Sequence, residues 1–239
     1  MTRSYIIHLD GSAARRPLVE ALMARLPDAE VLAAVDGRVL SDAERAVICV
    51  PMLHRPRYPF PPRPGEVGCF LSHRKAWERI VASGDEAALI VEDDIVPAEG
   101  FDAALALALE NAAPNRLIRF PLRDREEAEE VVALSGDVRL HRPRVIGLTT
   151  GMQLVGREAA ARLLALTEQF DRPVDTFLQM RWLTGVETLT LSPAPVRSAV
   201  AETGGSTIQS HTSVLAEIRR SWHRMRYRAK VARLSGAGS

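Results

Sequence analysis

The sequence predicts an α/β fold built on a mostly parallel sheet flanked by helices, and three observations support this prediction. Residues 87–91 are five consecutive apolar residues, which is typical of a strand buried on both faces of a parallel sheet. Two more apolar runs, at residues 4–9 and 30–35, enclose a helical pattern in β-α-β order. No apolar run approaches the roughly 20 residues that span a bilayer.

Composition is that of an ordinary soluble globular protein, with 46% hydrophobic and 26% charged residues. A chain of 239 residues can form one large domain, or one domain with an appendage. Cys49 and Cys69 form no CxxC pair and do not indicate a disulfide scaffold, which is consistent with a reducing compartment. The N-terminus lacks the pattern of a signal peptide, so we expect a cytoplasmic location.

The first strand, at residues 4–9, ends in a polar turn that contains Asp10. Leucines recur every four residues from residue 18 to residue 26 and predict a helix after this turn. Arg15 and Arg16 lie in the first turn of that helix, where they would form a pocket for an anion. The alternative is that both arginines are simply solvated.

A proline-rich stretch and a helix follow the second strand. Residues 51–64 contain six prolines, which exclude a regular helix or an inner strand, and we expect an extended loop. This loop would be either a lid or acceptor wall, or a stiff connector. Residues 65–81 predict a helix on which His73 shares an apolar face, and a histidine in that position is usually a core residue.

Carboxylates follow three of the predicted strands: Asp10, Asp36 and the Glu92-Asp93-Asp94 run. In a parallel sheet these strand ends lie on one edge, which is where open α/β sheets bind ligands. Three adjacent acids repel one another unless a cation neutralises them, and oxygen ligands suit Mg²⁺ or Mn²⁺ shared with a diphosphate. The alternative is an acidic turn or helix cap.

The downstream half of the chain gives weaker patterns. Residues 117–120, 151–155 and 186–191 predict further strands, and residues 157–166 predict an amphipathic helix. Residues 192–209 are rich in Pro, Gly and Ser and predict a mobile loop near the ligand site.

Charge is distributed unevenly along the chain. The net charge is +1, but residues 218–239 hold seven basic residues and no acidic one, against 24 basic and 30 acidic residues elsewhere. Such a basic amphipathic helix, predicted over residues 213–234, favours an anionic membrane surface. Docking onto the acidic body or a partner, or binding RNA, are alternatives, although aromatic residues are too sparse for a nucleic-acid platform. The predicted apolar face of this C-terminal helix consists of Ile218, Trp222, Met225, Ala229 and Ala232.

Six motifs, in order over roughly residues 4–210, resemble glycosyltransferase family 25. This is the lipopolysaccharide-biosynthesis galactosyltransferase type, which is related to the collagen galactosyltransferases. Each motif alone is weak, but their common order is specific. The motifs are Ile6-Ile7-His8-Leu9-Asp10 with Arg15-Arg16, Ala34-Val35-Asp36-Gly37, residues 65–73 with Trp77, Leu89-Ile90-Val91-Glu92-Asp93-Asp94, Thr150-Gly151-Met152-Gln153-Leu154 and Pro173-Val174-Asp175-Thr176-Phe177-Leu178.

The resemblance implies a GT-A-like, Rossmann-type domain over residues 1–212, followed by the basic tail at residues 213–239. It implies metal-dependent, inverting transfer of a sugar, galactose in particular, from a UDP-sugar to a saccharide acceptor of lipopolysaccharide, lipooligosaccharide or a related surface glycan. A glycolipid acceptor would place the protein peripherally on the inner face of the cytoplasmic membrane. Two alternatives stay open: another metal-dependent nucleotide enzyme, such as a nucleotidyltransferase, and a catalytically inactive sugar-nucleotide-binding homologue.

The resemblance also implies roles for individual residues. Asp94, Glu92 and a downstream His211 would bind Mn²⁺ or Mg²⁺, with Glu202 as an alternative to His211. Asp175 is our candidate for the base that deprotonates the acceptor hydroxyl, unless it only caps its helix. The nucleotide-sugar would contact Asp10, Arg15, Arg16, Asp36, Ser72, His73, Glu92 and Asp93.

Overall fold

The computed structural model describes residues 2–199 and 214–236, with side chains of the last helix described from residue 221. In these ranges, ten strands and eight helices form, and a 3-10 turn at Ala13–Arg15 precedes the first helix. The strands are β1 (Arg3–His8), β2 (Ala29–Ala33), β3 (Ala87–Glu92), β4 (Ile95–Pro97), β5 (Arg116–Arg119), β6 (Ala128–Ser135), β7 (Val138–Pro143), β8 (Met152–Gly156), β9 (Glu187–Ser192) and β10 (Val196–Ser198). The helices are α1 (Arg16–Arg25), α2 (Asp42–Ile48), α3 (Pro64–Ser83), α4 (Phe101–Glu110), α5 (Arg157–Ala165), α6 (Val174–Leu178), α7 (Arg181–Thr184) and α8 (Val214–Gly236).

Eight strands form one sheet in the order β2-β1-β3-β8-β5-β9-β7-β6, while β4 and β10 pair separately. Strands β7 and β8 run opposite to the other six. The predicted α/β fold with a mostly parallel sheet is therefore confirmed, with β8 inserted antiparallel between β3 and β5. Because β2, β1 and β3 are parallel neighbours, their carboxyl ends share one edge.

The core lies on both faces of the sheet, which explains why β3 is apolar from Ala87 to Val91. Ala88 and Ile90 point to one cluster, and Leu89 and Val91 to the other, and all four are fully buried. The first cluster packs against α3 and α5 with Phe70, Trp77 and Leu163 among its members, and the second packs against α1 and α4 with Leu22, Phe101 and Leu107.

The proline-rich stretch and the helix near Asp175 can each be compared with the prediction from the sequence. The proline-rich stretch is indeed without helix or strand from residue 51 to residue 63, and Pro64 begins α3. The helix that Asp175 was expected to cap is α6, which is only five residues long, and a separate short helix, α7, follows it. Among the described helices, none has the length and apolarity that crossing a bilayer demands.

The C-terminal segment is helical, but the face that packs is not the predicted one. Tyr227, Val231 and Ser235 are buried at four-residue spacing, whereas Trp222 and Met225 are 47% and 61% exposed. The sequence pattern alone could not show this, because the packing is set by distant partners: the Tyr227 hydroxyl accepts from Arg172 and the Ser235 carbonyl from Arg181. Helix α8 is thus docked on the body, and membrane contact by its exposed face remains a prediction.

Helix α3 approaches the end of β2 closely because two glycines face each other. A Cβ on Gly68 would lie 2.4 Å from the Val35 carbonyl oxygen and 2.5 Å from the Gly37 nitrogen. One turn later, the Ser72 hydroxyl accepts from the Val35 amide at 2.8 Å and donates to the Gly68 carbonyl at 2.7 Å. These contacts hold the start of α3 against the carboxyl edge of the sheet.

We expect Gly68→Ala to lower the free energy of unfolding by about 1–3 kcal/mol, because the added methyl meets backbone that cannot move aside cheaply. For a chain of this size that corresponds to a melting temperature lower by about 2–4 °C per kcal/mol, measurable by thermal denaturation. Gly65→Ala in the same helix is the control, since a Cβ there meets nothing within 4 Å. Equal melting temperatures for the two variants would show that the close approach is not constraining.

Candidate active site

The three acids at the carboxyl end of β3 have different surroundings, and Asp93 is the buried one. It is 4% exposed and accepts from Nδ1 of His8 at 2.7 Å and from Arg15 at 2.5 Å. His8 ends β1, and Arg15 ends the 3-10 turn that follows β1. Asp93 therefore joins the ends of β1 and β3, and its charge is matched within the protein.

Glu92 is held by two hydrogen bonds on a single oxygen. Its Oε1 accepts from Thr150 Oγ1 at 2.7 Å and from His73 Nε2 at 3.1 Å, and the structure gives Oε2 no partner within the described part of the chain. Burial raises the pKa of Glu92, but the bonds from His73 and Thr150 outweigh this, so the pKa is lowered. Glu92 is thus an ionised carboxylate with one oxygen available.

Asp94 carries negative charge that the described part of the chain does not match. Its pKa is raised by burial and by repulsion from Glu92 and Asp93, which the attraction of Arg15 does not offset. Its side chain accepts a hydrogen bond from Ser198 Oγ at 3.4 Å, which is too long to stabilise a charge strongly. A cation at this position would relieve the repulsion.

Glu92 and Asp94 open on a cavity of about 420 Å³, and Asp175 lines the same cavity. Asp175 lies in the first turn of α6, where its Oδ1 accepts from the Thr176 amide at 2.6 Å and from the Thr176 hydroxyl at 3.1 Å. The structure thus brings together three of the predicted carboxylates. Other lining residues are Glu66, Cys69, Thr150 and Ser198.

A hard divalent cation fits this donor set better than a soft one. Glu92 and Asp94 offer carboxylate oxygens, the ligands that Mg²⁺ and Mn²⁺ prefer. Cys69, His73 and Glu92 also have ligand atoms within 4.8 Å of one another, which resembles a zinc cluster. However, burial raises the pKa of the Cys69 thiol, so forming the thiolate that zinc requires costs more there than at an ordinary cysteine. The predicted ligand His211 and its alternative Glu202 lie outside the described residues.

The remaining predicted nucleotide contacts lie around the same edge but do not line the cavity. Asp10 and Arg16 are exposed beyond the end of β1. Asp36 is paired with Arg38 at 2.7 Å, and this bond lowers the pKa of Asp36 to about 2. Ser72 uses its hydroxyl to fix α3, as described above. Contact of these residues with a nucleotide remains a prediction.

Sequence reasoning assigned no role to His8, Thr150 or Tyr58. His8 could have been noticed as a polar residue inside an apolar strand, and Thr150 as part of a family motif. Tyr58, in the proline-rich loop, gave no signal, yet it lines the first cavity and a larger neighbouring one of about 710 Å³. The two cavities share Leu122, Leu148, Thr149 and Thr176 as well.

The fold and the site together define an α/β protein with a carboxylate-lined cavity at the carboxyl edge of its sheet. The model of the family described as "Glycosyltransferase family 25 (LPS biosynthesis protein)" matches residues 1–178 of this chain. Because the match covers well over half of the sequence, the chain belongs to glycosyltransferase family 25.

Relatives of this chain are similar over parts of much longer proteins. A glycosyltransferase 25 family member of Aedes aegypti is 43% identical over 88 residues, which are 36% of this chain and 14% of that protein. Procollagen galactosyltransferase 2 of Homo sapiens is 27% identical over 194 residues, 74% of this chain and 30% of that protein. A Rattus norvegicus protein named as a probable inactive family member 3 is 33% identical over 136 residues, 52% of this chain and 24% of that protein. This chain therefore spans less than a third of the length of each.

Proposed function

We propose that this protein is a metal-dependent, inverting glycosyltransferase that moves a sugar, galactose in particular, from a UDP-sugar to a saccharide acceptor of lipopolysaccharide or a related surface glycan. The observation that carries the proposal is the cavity at the end of β3, which Glu92, Asp94 and Asp175 line together. The family description supports the glycan class, and a procollagen galactosyltransferase among the relatives supports galactose.

The donor side of the site consists of Glu92, Asp94 and Arg15. Glu92 and Asp94 would hold Mn²⁺ or Mg²⁺, which when bound supplies Lewis-acid stabilisation of the departing diphosphate. Arg15 uses one nitrogen on Asp93, and its side chain is still 42% exposed. Its remaining N–H groups can donate to a phosphate oxygen, adding positive charge where negative charge develops.

The acceptor side consists of Asp175. Inversion in a single displacement requires a base that takes the proton of the attacking hydroxyl. The hydrogen bonds from Thr176 both fall on Oδ1 of Asp175, so they fix the carboxylate while Oδ2 can accept that proton. These bonds come from the next residue, so they are equally compatible with a first-turn capping role, and the cavity position is what favours the base.

The name of the rat relative makes a non-catalytic, sugar-nucleotide-binding protein the second candidate. The two candidates share donor binding and differ in turnover. The presence of both Glu92 and Asp94 on one cavity favours the catalytic candidate, because Asp94, repelled by its acidic neighbours, is costly to keep ionised without a cation.

A thermal-denaturation screen of the full chain with UDP-galactose, UDP-glucose and nucleoside triphosphates, with and without Mn²⁺, tests the proposal. We expect a UDP-sugar at about 100 times its Kd to raise the melting temperature by about 5–10 °C, and only with the metal present. Release of UDP on adding a saccharide acceptor then separates the enzyme from the inactive homologue. Stabilisation by nucleoside triphosphates alone would instead support a nucleotidyltransferase, and no stabilisation by any UDP-sugar would refute the proposal.

A further inference from the structure

The larger cavity, of about 710 Å³, is built from three parts of the chain that are far apart in sequence. The proline-rich loop contributes Tyr58 and Phe60, the turns near residues 121–126 and 145–149 form a second wall, and α8 closes the third side. This cavity adjoins the carboxylate cavity at Tyr58, Thr149 and Thr176. It is therefore placed to hold a second molecule next to whatever occupies the first.

Four arginines line this cavity, and no acidic residue in the described part of the chain forms a salt bridge with them. None of them forms an ion pair within residues 2–199 and 221–236. The cavity's one acidic lining residue, Glu126, is already matched: it accepts from the buried Arg119 and from Thr190 Oγ1 at 2.8 Å. The wall thus has a net positive charge with no partner in the described protein. The four arginines are Arg123, Arg125, Arg224 and Arg228.

Aromatic rings lie beside these charges. Tyr58 makes edge contacts with Tyr227 and Phe60 at centroid distances of 5.3 and 5.8 Å, and the Arg224 guanidinium lies 5.6 Å from the centre of the Phe60 ring. Apolar and aromatic walls with a few placed polar groups are the usual lining of a small-molecule site. Rings and guanidinium groups together suit a ligand that is part sugar ring and part anion.

The junction of the two cavities has a strained backbone. Thr149 lines both cavities and has a φ of 110°, a conformation that a β-branched residue rarely adopts. Its carbonyl accepts from Arg119 at 3.2 Å, which helps to hold this conformation. Such strain is kept mainly where a ligand or a reaction requires it.

We propose that the larger cavity is the acceptor site and that its acceptor is an anionic saccharide, one that carries a carboxylate or a phosphate. This inference rests on the proposed function. The anionic group would lie between Arg224 and Arg228 of α8 and the arginines at positions 123 and 125, with a sugar ring against Tyr58 and Phe60. The acceptor hydroxyl would then point across the junction toward Asp175. Because α8 lies beyond residue 178, two of the four arginines come from a part of the chain outside the family match.

The double variant Arg224→Gln/Arg228→Gln tests this, with Arg226→Gln/Lys230→Gln as a matched control. Both variants lose two charges from α8, but Arg226 and Lys230 are exposed and do not line the cavity. The probes are a glucuronic-acid disaccharide, a phosphorylated disaccharide and their neutral counterpart. Each is titrated by calorimetry into the full chain with UDP and Mn²⁺.

We expect a charged disaccharide to bind the unmodified protein at least about tenfold more tightly than the neutral one, since bonds between charged groups are the strong ones. The cavity variant should lose most of this preference, and the control variant should keep it. Equal binding of charged and neutral disaccharides, or equal losses in both variants, would overturn the proposal. Binding of phosphatidylglycerol vesicles through Arg224 and Arg228, without binding of the saccharides, would also overturn the proposal.

The failure of this inference can be told apart from failure of the proposed function. Mn²⁺-dependent binding of UDP-galactose to the unmodified protein reports on the first cavity alone. If that binding is present and the protein binds charged and neutral disaccharides equally tightly, only the acceptor inference is wrong. If that binding is absent, the proposed function fails, whatever the disaccharides do.

Discussion

Asp94→Asn is expected to reduce metal-dependent release of UDP by about 10³-fold while leaving the protein at least as stable as before. The loss follows because a charged metal ligand supplies several kcal/mol of stabilisation to a departing diphosphate, and each 1.36 kcal/mol is a factor of about ten in rate. Asn keeps the shape of the side chain and removes its charge. The measurement is turnover of a UDP-sugar at saturating Mn²⁺.

The expected effect on stability follows from the raised pKa of Asp94. Burial and the neighbouring acids make the folded protein bind a proton at Asp94 more readily than the unfolded chain does. Above the usual pKa of a carboxyl, ionising Asp94 therefore costs more free energy in the folded, metal-free protein than in the unfolded chain. Removing its charge should raise, or leave unchanged, the melting temperature without metal.

Asp93→Asn is the matched control, one residue earlier in the chain, and it should behave in the opposite way. Asp93 is buried against His8 and Arg15, so the loss of its charge should cost about 2–3 kcal/mol. This free-energy cost is smaller than that for a fully buried ion pair, because the Arg15 side chain is 42% exposed and can be solvated by water. A lower melting temperature for Asp94→Asn, or an unchanged melting temperature for Asp93→Asn, would contradict this division of roles.

The position of the site was predictable from the sequence because it depends on local features. A fully apolar strand indicates burial on both faces, and acids that follow parallel strands of one sheet lie at the same edge, whichever of those strands are neighbours. The structure places β2, β1 and β3 side by side and parallel, so that their ends do share an edge. No long-range detail was needed for this step.

The division of roles among the acids was not predictable in the same way. Nothing local distinguishes Asp93 from Asp94, since what separates them is the distant partner His8, 85 residues away, and Arg15, 78 residues away. The packed face of α8 has the same cause. Tyr227 faces the body because its hydroxyl accepts a hydrogen bond from Arg172, which the spacing of apolar residues does not indicate. Long-range polar partners decide these features, and a periodic pattern contains no information about them.

Arg172→Met is expected to have the largest effect on stability, about 3–5 kcal/mol, because it leaves Asp171 charged and buried without its partner. Arg172 is fully buried, and besides Asp171 it donates to Tyr227 and to the carbonyls of His54 and Pro56. One side chain thus ties the proline-rich loop and α8 to the body. Arg172→Lys should not rescue the protein, since an ammonium cannot reproduce the planar set of donors.

Tyr227→Phe provides the control, since it keeps the buried ring and removes only the hydroxyl that Arg172 donates to. We expect it to cost about 1–2 kcal/mol, clearly less than Arg172→Met. Trypsin gives a second measurement, because α8 contains Arg224, Arg226 and Arg228, and cleavage there should accelerate strongly only when α8 undocks. If Arg172→Met lowered the melting temperature without faster cleavage in α8, Arg172 would stabilise the core alone. The walls of the larger cavity would then be held by other contacts.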